Sequence, residues 1–174
     1  FYTADNGYES KRDFKNSVAQ RGFYKAFPQR SHKYHVSEGG IRVPAIISFP
    51  TKLPLGETRD QVVTSMDWLP TVMELCGIER GKGDPKLDGH SVLPLIRSTK
   101  AQSGYGDVLH FQWHKGWVVR EGEWKLIGRG AKPSFLGNLK DELPERKNYL
   151  KEKPELVSRL LERRETWAKE VNSK

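Results

Sequence analysis

The chain has 174 residues, of which 36% are hydrophobic and 10% aromatic, so it is long enough to bury a core and too rich in aromatic rings to be wholly disordered. Its formal charge of +8 admits a polyanionic ligand, a nucleic acid or an anionic membrane surface as a partner. The single cysteine, Cys76, excludes an internal disulfide and a multi-cysteine zinc site, and no apolar run approaches the ~20 residues of a membrane span.

The first half of the chain predicts strands, a long loop and a helix. Residues 1–4 predict the end of a buried strand. Residues 8–37 are polar and irregular, which predicts a long loop of the kind that is usually functional or disordered. Residues 41–49 are rich in β-branched side chains and predict a buried strand, and residues 65–76 predict a helix that Gly77 ends.

The second half has a different pattern, with short aromatic and β-branched runs. Turn-forming stretches separate these runs, which are residues 107–113, 117–120 and 124–127. They predict an antiparallel meander. Residues 154–171 carry apolar side chains near one stripe and predict an amphipathic helix. We therefore expect an α/β protein divided into residues 1–100 and a C-terminal subdomain, residues 101–174, made of a small antiparallel sheet plus a helix.

Two short segments carry side chains that suit a binding site. Asp5 and Asn6 stand side by side after the first strand, and carboxylate and amide oxygens are hard ligands that suit Ca²⁺ or Mg²⁺ better than zinc. Asn-Gly is equally a common tight turn, so residues 5–7 alone are compatible with a metal site or a plain turn. Lys33 precedes a Gly-Gly pair at residues 39–40; its ammonium could face an oxyanion or lie in solvent, as most lysines do.

Five blocks stand in a fixed order along residues 1–127. They are Asp5-Asn6-Gly7, Lys33 with Glu38-Gly39-Gly40-Ile41-Arg42-Val43-Pro44, Asp67-Trp68-Leu69-Pro70-Thr71, Asp88-Gly89-His90-Ser91-Val92-Leu93-Pro94, and Arg120 with Trp124-Lys125-Leu126-Ile127. In this order they resemble the C-terminal half of formylglycine-dependent sulfatases of the alkaline phosphatase superfamily. The resemblance implies that the chain is the C-terminal part of the sulfatase α/β fold, as a fragment or an isolated domain.

The resemblance also implies roles for individual residues. Asp5 and Asn6 match two ligands of a Ca²⁺ or Mg²⁺ ion, and Lys33 matches a lysine that contacts the sulfate ester oxygens. We interpret Glu38-Gly39-Gly40 and Arg42 as structural residues that set the turn and pair internally, with a direct catalytic role as the alternative. The family nucleophile is a Cys or Ser in Cys/Ser-x-Pro/Ala-x-Arg that becomes formylglycine; it is expected in a missing N-terminal part. Residues 17–21 match the loose form of that motif in residue type. They follow the Asp-Asn-Gly block, whereas the family motif precedes it, so we interpret the match as chance.

Two histidines are weaker candidates for substrate contact. His35 flanks Lys33, and His114 lies in a turn between two strands of the meander. For each of them a plain surface histidine is the alternative.

The resemblance implies that the parent protein hydrolyses a sulfate ester, such as an aryl or sugar sulfate. The N-terminal half of the same protein would be the partner of this chain, which alone should be inactive. Two alternatives stay open: a phosphate or phosphonate ester hydrolase of the same superfamily, and a non-catalytic module that binds sulfated glycans. We expect no nucleic acid and no membrane as partners. The compartment stays open, and for the parent the resemblance favours the periplasm, secretion or the lysosome.

Overall fold

The computed structural model describes residues 1–7, 30–106 and 108–172. The chain forms two compact units, which are Phe1–Ile46 with Asp107–Lys174, and Ile47–Gly106. Most of the predicted long loop lies outside the described residues, and so does the match to the nucleophile motif at residues 17–21. The predicted boundary between residues 100 and 101 stays a prediction. Within the described ranges, no helix has both the length and the apolar character that a bilayer span requires.

The elements confirm a mixed α/β chain that ends in a small antiparallel sheet and a helix. In chain order they are β1 (Tyr2–Thr3), α1 (Glu38–Ile41), β2 (Ala45–Ile46), a 3₁₀ turn (Ser65–Asp67), α2 (Trp68–Cys76), α3 (Leu93–Arg97), β3 (Val108–Trp113), β4 (Gly116–Glu121), β5 (Trp124–Arg129), β6 (Lys132–Asn138) and α4 (Pro154–Asn172). β1 pairs with β2, and the other strands form a sheet in the order β3-β4-β5-β6.

The prediction of a buried strand at residues 41–49 is wrong in both extent and burial. Ile41 ends α1 with its N–H bonded to the Ser37 carbonyl, so it cannot join a strand. Pro44 has no N–H to donate to a neighbouring strand, so within residues 41–49 the pairing with β1 is limited to β2. Both strands are exposed, with Ile46 59% accessible, so the predicted burial of the first strand is wrong as well.

The predicted meander is confirmed and has a fourth strand. β3, β4 and β5 pair antiparallel, with His110 opposite Val119 in the first pair. β6 continues the sheet across an irregularity between Ile127 and Gly128. The sequence pattern did not predict β6, because Pro133 and its polar neighbours are typical of a loop; an edge strand tolerates such a proline.

The predicted C-terminal helix is confirmed as α4, which packs on one face of the sheet. It begins at Pro154, where the missing N–H of proline is harmless. Leu160 of α4 is fully buried in a core formed with Trp117, Val119, Leu126 and Leu136. Burying one such leucine stabilises the fold by about 1.5–3 kcal/mol.

In the second unit the predicted helix is confirmed, and Gly77 ends it with a left-handed φ of 65°. A buried carboxylate, Asp67, organises its start. Asp67 accepts the N–H of Thr64 at 2.7 Å, the N–H of His90 at 2.8 Å and the hydroxyl of Tyr105 at 2.5 Å. Burial, followed by the bond to Asp67, raises the pKa of Tyr105, so its hydroxyl stays a donor.

The Asp-x-x-Pro-Thr and Asp-Gly-x-Ser blocks are joined within this unit. Thr71 is fully buried; its hydroxyl donates to the Asp67 carbonyl at 2.6 Å and accepts the N–H of Val92 at 3.0 Å. A Cβ added to Gly89 would lie 2.0 Å from the Met66 carbonyl oxygen, so only glycine fits there. The residues of these two blocks therefore have structural roles within the unit.

Candidate functional site

The Gly39–Gly40 pair of α1 holds the Asp-Asn-Gly turn. The N–H of Gly7 donates to the Gly40 carbonyl at 2.9 Å. A Cβ added to Gly7 would lie 1.8 Å from the Gly39 carbonyl oxygen, a distance that no real Cβ shows. The turn that presents Asp5 and Asn6 is therefore seated directly on the backbone of α1.

The same two glycines also hold the loop that carries Lys33. The N–H of Gly39 donates to the Arg30 carbonyl at 2.8 Å. A Cβ on Gly39 would lie 2.1 Å from the Ser31 carbonyl oxygen, and one on Gly40 would lie 2.0 Å from that of His35. The backbone of residues 30–35 thus contacts α1 as closely as the Asp-Asn-Gly turn does, and the fold brings the two predicted site segments to one place.

Asp5 and Asn6 fit part of a divalent cation site. Asp5 is exposed and Asn6 is half-buried, so the donor groups lie at the surface of the unit. Their oxygens are the hard donors that Ca²⁺ and Mg²⁺ prefer. Across the described ranges, no group of three His, Cys, Asp or Glu side chains could hold a metal ion. What this part of the chain offers is two neighbouring oxygen donors, which is an incomplete ligand set.

Lys33 lies half-buried in a turn with unusual backbone angles. Ser31 and Tyr34 have φ values of 67° and 72°, in the left-handed region that residues other than glycine rarely adopt. Such conformations cost about 1–3 kcal/mol each and are often found at functional sites. The Lys33 ammonium lies 5.5 Å from the centre of the Tyr34 ring. The loop therefore holds a cation beside an exposed aromatic ring.

His35 is on the same loop and contacts another histidine. Its ring lies edge-on to that of His32, with centroids 4.9 Å apart. Partial desolvation lowers the pKa of His35, and the nearby charges of His32 and Arg30 lower it further. His35 is therefore neutral at pH 7 and can both donate and accept a hydrogen bond.

The β3–β4 hairpin carries His114, and the first residue of β4 comes near Val36, which follows His35 in the chain. His114 has a φ of 51° and its ring lies 4.5 Å from that of Trp113, which is 50% exposed. A Cβ added to Gly116 would lie 4.0 Å from a methyl group of Val36, one residue after His35. The start of β4 thus lies near Val36, at the end of the segment that carries Lys33 and His35.

Alternation along the strands places Trp113 on the same face of the sheet as this loop. Phe111 is two residues before Trp113, and it pairs with Val118. Val118 in turn pairs with Ile127, two residues after Lys125. Because paired residues and residues two apart share a face, Trp113 and Lys125 lie on one face, opposite the face that α4 covers.

The sequence did not suggest a role for Lys125 and Glu145, although both contact Glu38, the first residue of α1. Lys125 is fully buried, and its Nζ lies 2.7 Å from Glu38 Oε1 and 2.9 Å from Glu145 Oε1. Arg42 lies 3.9 Å from the other oxygen of Glu38. The sequence signal that could have identified Lys125 is its position between apolar residues of a predicted strand. The structural interpretation of residues 38–42 agrees with these contacts.

Comparisons with known proteins agree with the ordered motifs. The family model described as Sulfatase matches residues 1–78. Human arylsulfatase D is 29% identical over 154 residues, which cover 76% of this chain and 26% of that protein. Mouse steryl-sulfatase is 29% identical over 135 residues, covering 73% of this chain and 20% of that protein. The ulvan-active sulfatase of Formosa agariphila is 30% identical over 112 residues, which cover 60% of this chain and 22% of that protein.

A solved structure has the same fold. The crystal structure of Ps i-CgsB in complex with k-i-k-neocarrahexaose superposes with a TM-score of 0.72 and 22% identity, covering 95% of this chain and 35% of that chain. The chain thus spans roughly a quarter of the length of arylsulfatase D, the first of these relatives. The predicted resemblance and fold are confirmed: residues 1–78 match the sulfatase family model, sulfatases are similar to this chain over most of its length, and a solved structure shares its fold.

Proposed function

We propose that this chain is the part of a sulfuric ester hydrolase that contributes Asp5 and Asn6 to a Ca²⁺ or Mg²⁺ site and Lys33 to the sulfate site. The observation that supports the proposal is that the two segments pack on the same part of α1. Gly39 and Gly40 contact both the Asp-Asn-Gly turn and the Lys33 loop at distances that allow no side chain between them.

The reaction would be R–O–SO₃⁻ + H₂O → R–OH + HSO₄⁻, in which the bond between sulfur and the ester oxygen breaks. The Lys33 ammonium would donate hydrogen bonds to sulfate oxygens and offset their charge, a contribution that is large in a preorganised site. A divalent cation, when bound, supplies further charge stabilisation as a Lewis acid. The nucleophile, a formylglycine in sulfatases of the type these motifs resemble, is expected from sequence outside this chain.

The alcohol part of the substrate would lie against the neighbouring hairpin. His35 and His114 would contact it, together with the exposed rings of Tyr34 and Trp113. The support for this role is that a Cβ added to Gly116 would lie 4.0 Å from a Val36 methyl group. His114 is two residues before Gly116 in the chain, and His35 is one residue before Val36. Neutral His35 could donate to or accept from a substrate hydroxyl.

Activity of the complete reading frame tests the proposal. Sulfate release from an aryl sulfate and a sugar sulfate, and phosphate release from an aryl phosphate, should be measured in parallel. Lys33→Ala should lower kcat/KM for sulfate esters about 10²–10³-fold, the effect of removing one preorganised donor. Lys86→Ala, at an exposed lysine of the second unit, is the matched control and should leave kcat/KM unchanged.

Two results would contradict the proposal. One is a Lys33→Ala protein with the activity of the Lys86→Ala control. The other is faster hydrolysis of the phosphate than of either sulfate ester, which would favour a phosphate or phosphonate ester hydrolase.

Cation binding gives a second test that needs no substrate. In the complete protein, Asp5→Ala and Asn6→Ala should each weaken Ca²⁺ or Mg²⁺ binding in a calorimetric titration. Asp60→Ala serves as the control, because it removes a carboxylate that lies in the other unit. Equal affinities in Asp5→Ala and Asp60→Ala would rule out the assignment of Asp5.

A further inference from the structure

A buried ion cluster anchors α1 to the sheet. Lys125 of β5 is fully buried and donates a 2.7 Å hydrogen bond to Glu38 Oε1. It also forms an ion pair at 2.9 Å with Glu145, which is 1% exposed. Glu145 in turn accepts the backbone N–H of Glu38 at 2.8 Å. Glu38 is thus held through its side chain by Lys125 and through its backbone by Glu145.

The cluster is costly, so its presence needs a reason other than stability. Burying an ion costs several kcal/mol, and replacing buried ion pairs by apolar residues is often neutral or stabilising. Two carboxylates face the one Lys125 ammonium, and the Arg42 guanidinium, which is 64% exposed, lies 3.9 Å from the second oxygen of Glu38. What such a cluster provides is a directed geometry, which apolar contacts do not supply.

The geometry it fixes is that of the candidate site. Glu38 is the first residue of α1, and the next two residues are Gly39 and Gly40. Those glycines contact the Asp-Asn-Gly turn and the Lys33 loop through backbone atoms, so a displacement of α1 would move both segments. A second contact ties the loop to the sheet, because the Arg30 guanidinium lies 4.3 Å from the Phe135 ring centre.

We propose that Lys125 and Glu145 are positioning residues for the cation and sulfate sites. They touch neither ligand; they fix α1, and α1 fixes Asp5, Asn6 and Lys33. The C-terminal sheet is therefore required for cation affinity although it supplies no ligand to the ion. This inference rests on the proposed function, because it assigns Asp5 and Asn6 to the cation.

The test compares substitutions in the buried ion cluster with a substitution in the apolar core of the same sheet, all in the complete protein. Lys125→Met removes the buried cation and Lys125→Arg keeps it, while Glu145→Gln is a milder variant that remains informative if Lys125→Met does not fold. The matched control is Leu136→Ala, a fully buried position on the α4 face of the sheet. The readouts are thermal unfolding, Ca²⁺ affinity by calorimetry, and hydrogen exchange of peptides that cover residues 1–7 and 38–42.

Lys125→Met and Glu145→Gln should weaken Ca²⁺ binding about 10–100-fold, as loss of groups that orient metal ligands does, and Lys125→Arg should recover part of it. Exchange in residues 1–7 and 38–42 should rise more than exchange in β4. Leu136→Ala should lower thermal stability with no such selective change. Equal effects of Lys125→Met and Leu136→Ala on Ca²⁺ affinity, at equal loss of stability, would overturn the proposal.

Faster exchange in residues 1–7 with unchanged Ca²⁺ affinity would overturn it too. These readouts use no sulfate ester, so their outcome is separate from that of the proposed hydrolysis. A complete protein that binds Ca²⁺ but releases no sulfate would contradict the proposed function and leave the positioning result standing.

Discussion

Replacing Gly40 by alanine separates helix propensity from the contacts that form the candidate site. Gly40 lies inside α1, where alanine is the better helix former by about 1 kcal/mol, so propensity alone predicts a more stable protein. The structure predicts the opposite. A Cβ at this position would lie 2.0 Å from the His35 carbonyl oxygen and 2.7 Å from that of His32.

The size of the effect follows from these distances. A carbon–oxygen contact normally needs about 3.3 Å, so the Lys33 loop would have to retreat by about 1.3 Å from the 2.0 Å position. Such overpacking costs about 1–3 kcal/mol, and weakening the bond from Gly7 to the Gly40 carbonyl adds about 1 kcal/mol. We expect Gly40→Ala to lose about 2–4 kcal/mol of unfolding free energy.

Urea denaturation measures this loss, and Gly83→Ala is the control. A Cβ on Gly83 meets nothing within 4 Å, so Gly83→Ala should change the unfolding free energy by no more than about 0.5 kcal/mol. A Gly40→Ala protein that is as stable as Gly83→Ala, or more stable than the wild type, would refute the packing of the Lys33 loop on α1.

Three further predictions concern stability. Asp67→Ala should cost at least about 2 kcal/mol of unfolding free energy in urea denaturation, because it leaves two backbone N–H groups and the Tyr105 hydroxyl without their acceptor; a loss under 0.5 kcal/mol would contradict the buried network. Leu160→Ala should cost about 2–5 kcal/mol, measured in the same way, since this α4 side chain is fully buried against the sheet. His110 stacks on Trp167 at 5.0 Å, and burial, then Arg163, lowers its pKa below its ordinary value of about 6.5. The unfolded state therefore binds the proton more tightly, so this contribution to stability is present above about pH 6.5 and is lost as the pH falls below it. His110→Phe should flatten the decline in unfolding free energy between about pH 7 and pH 5, and an unchanged slope would show that His110 does not titrate differently on folding.

Local patterns were sufficient where an element is determined by its own residues. The helix ending at Gly77 and the helix beginning at Pro154 were predicted because apolar spacing, proline position and a terminal glycine act within a few residues. β6 was not predicted, because its pairing depends on β5 and not on its own propensity. The buried strand at residues 41–49 failed for a related reason: its β-branched pattern does not reveal that Ile41 bonds backward into α1.

For the candidate site, the sequence by itself predicted the chemistry and determined the resemblance: oxygen donors at Asp5 and Asn6, a cation at Lys33, and ordered motifs that match sulfatases. Only the tertiary structure decided that the two segments meet. Both contact backbone atoms of Gly39 and Gly40, and the sequence does not show which segments approach that backbone. It also decided that Lys125, far along the chain, is buried against Glu38. Burial of a charge depends on which surfaces meet, and that is a property of the folded chain and not of any segment read alone.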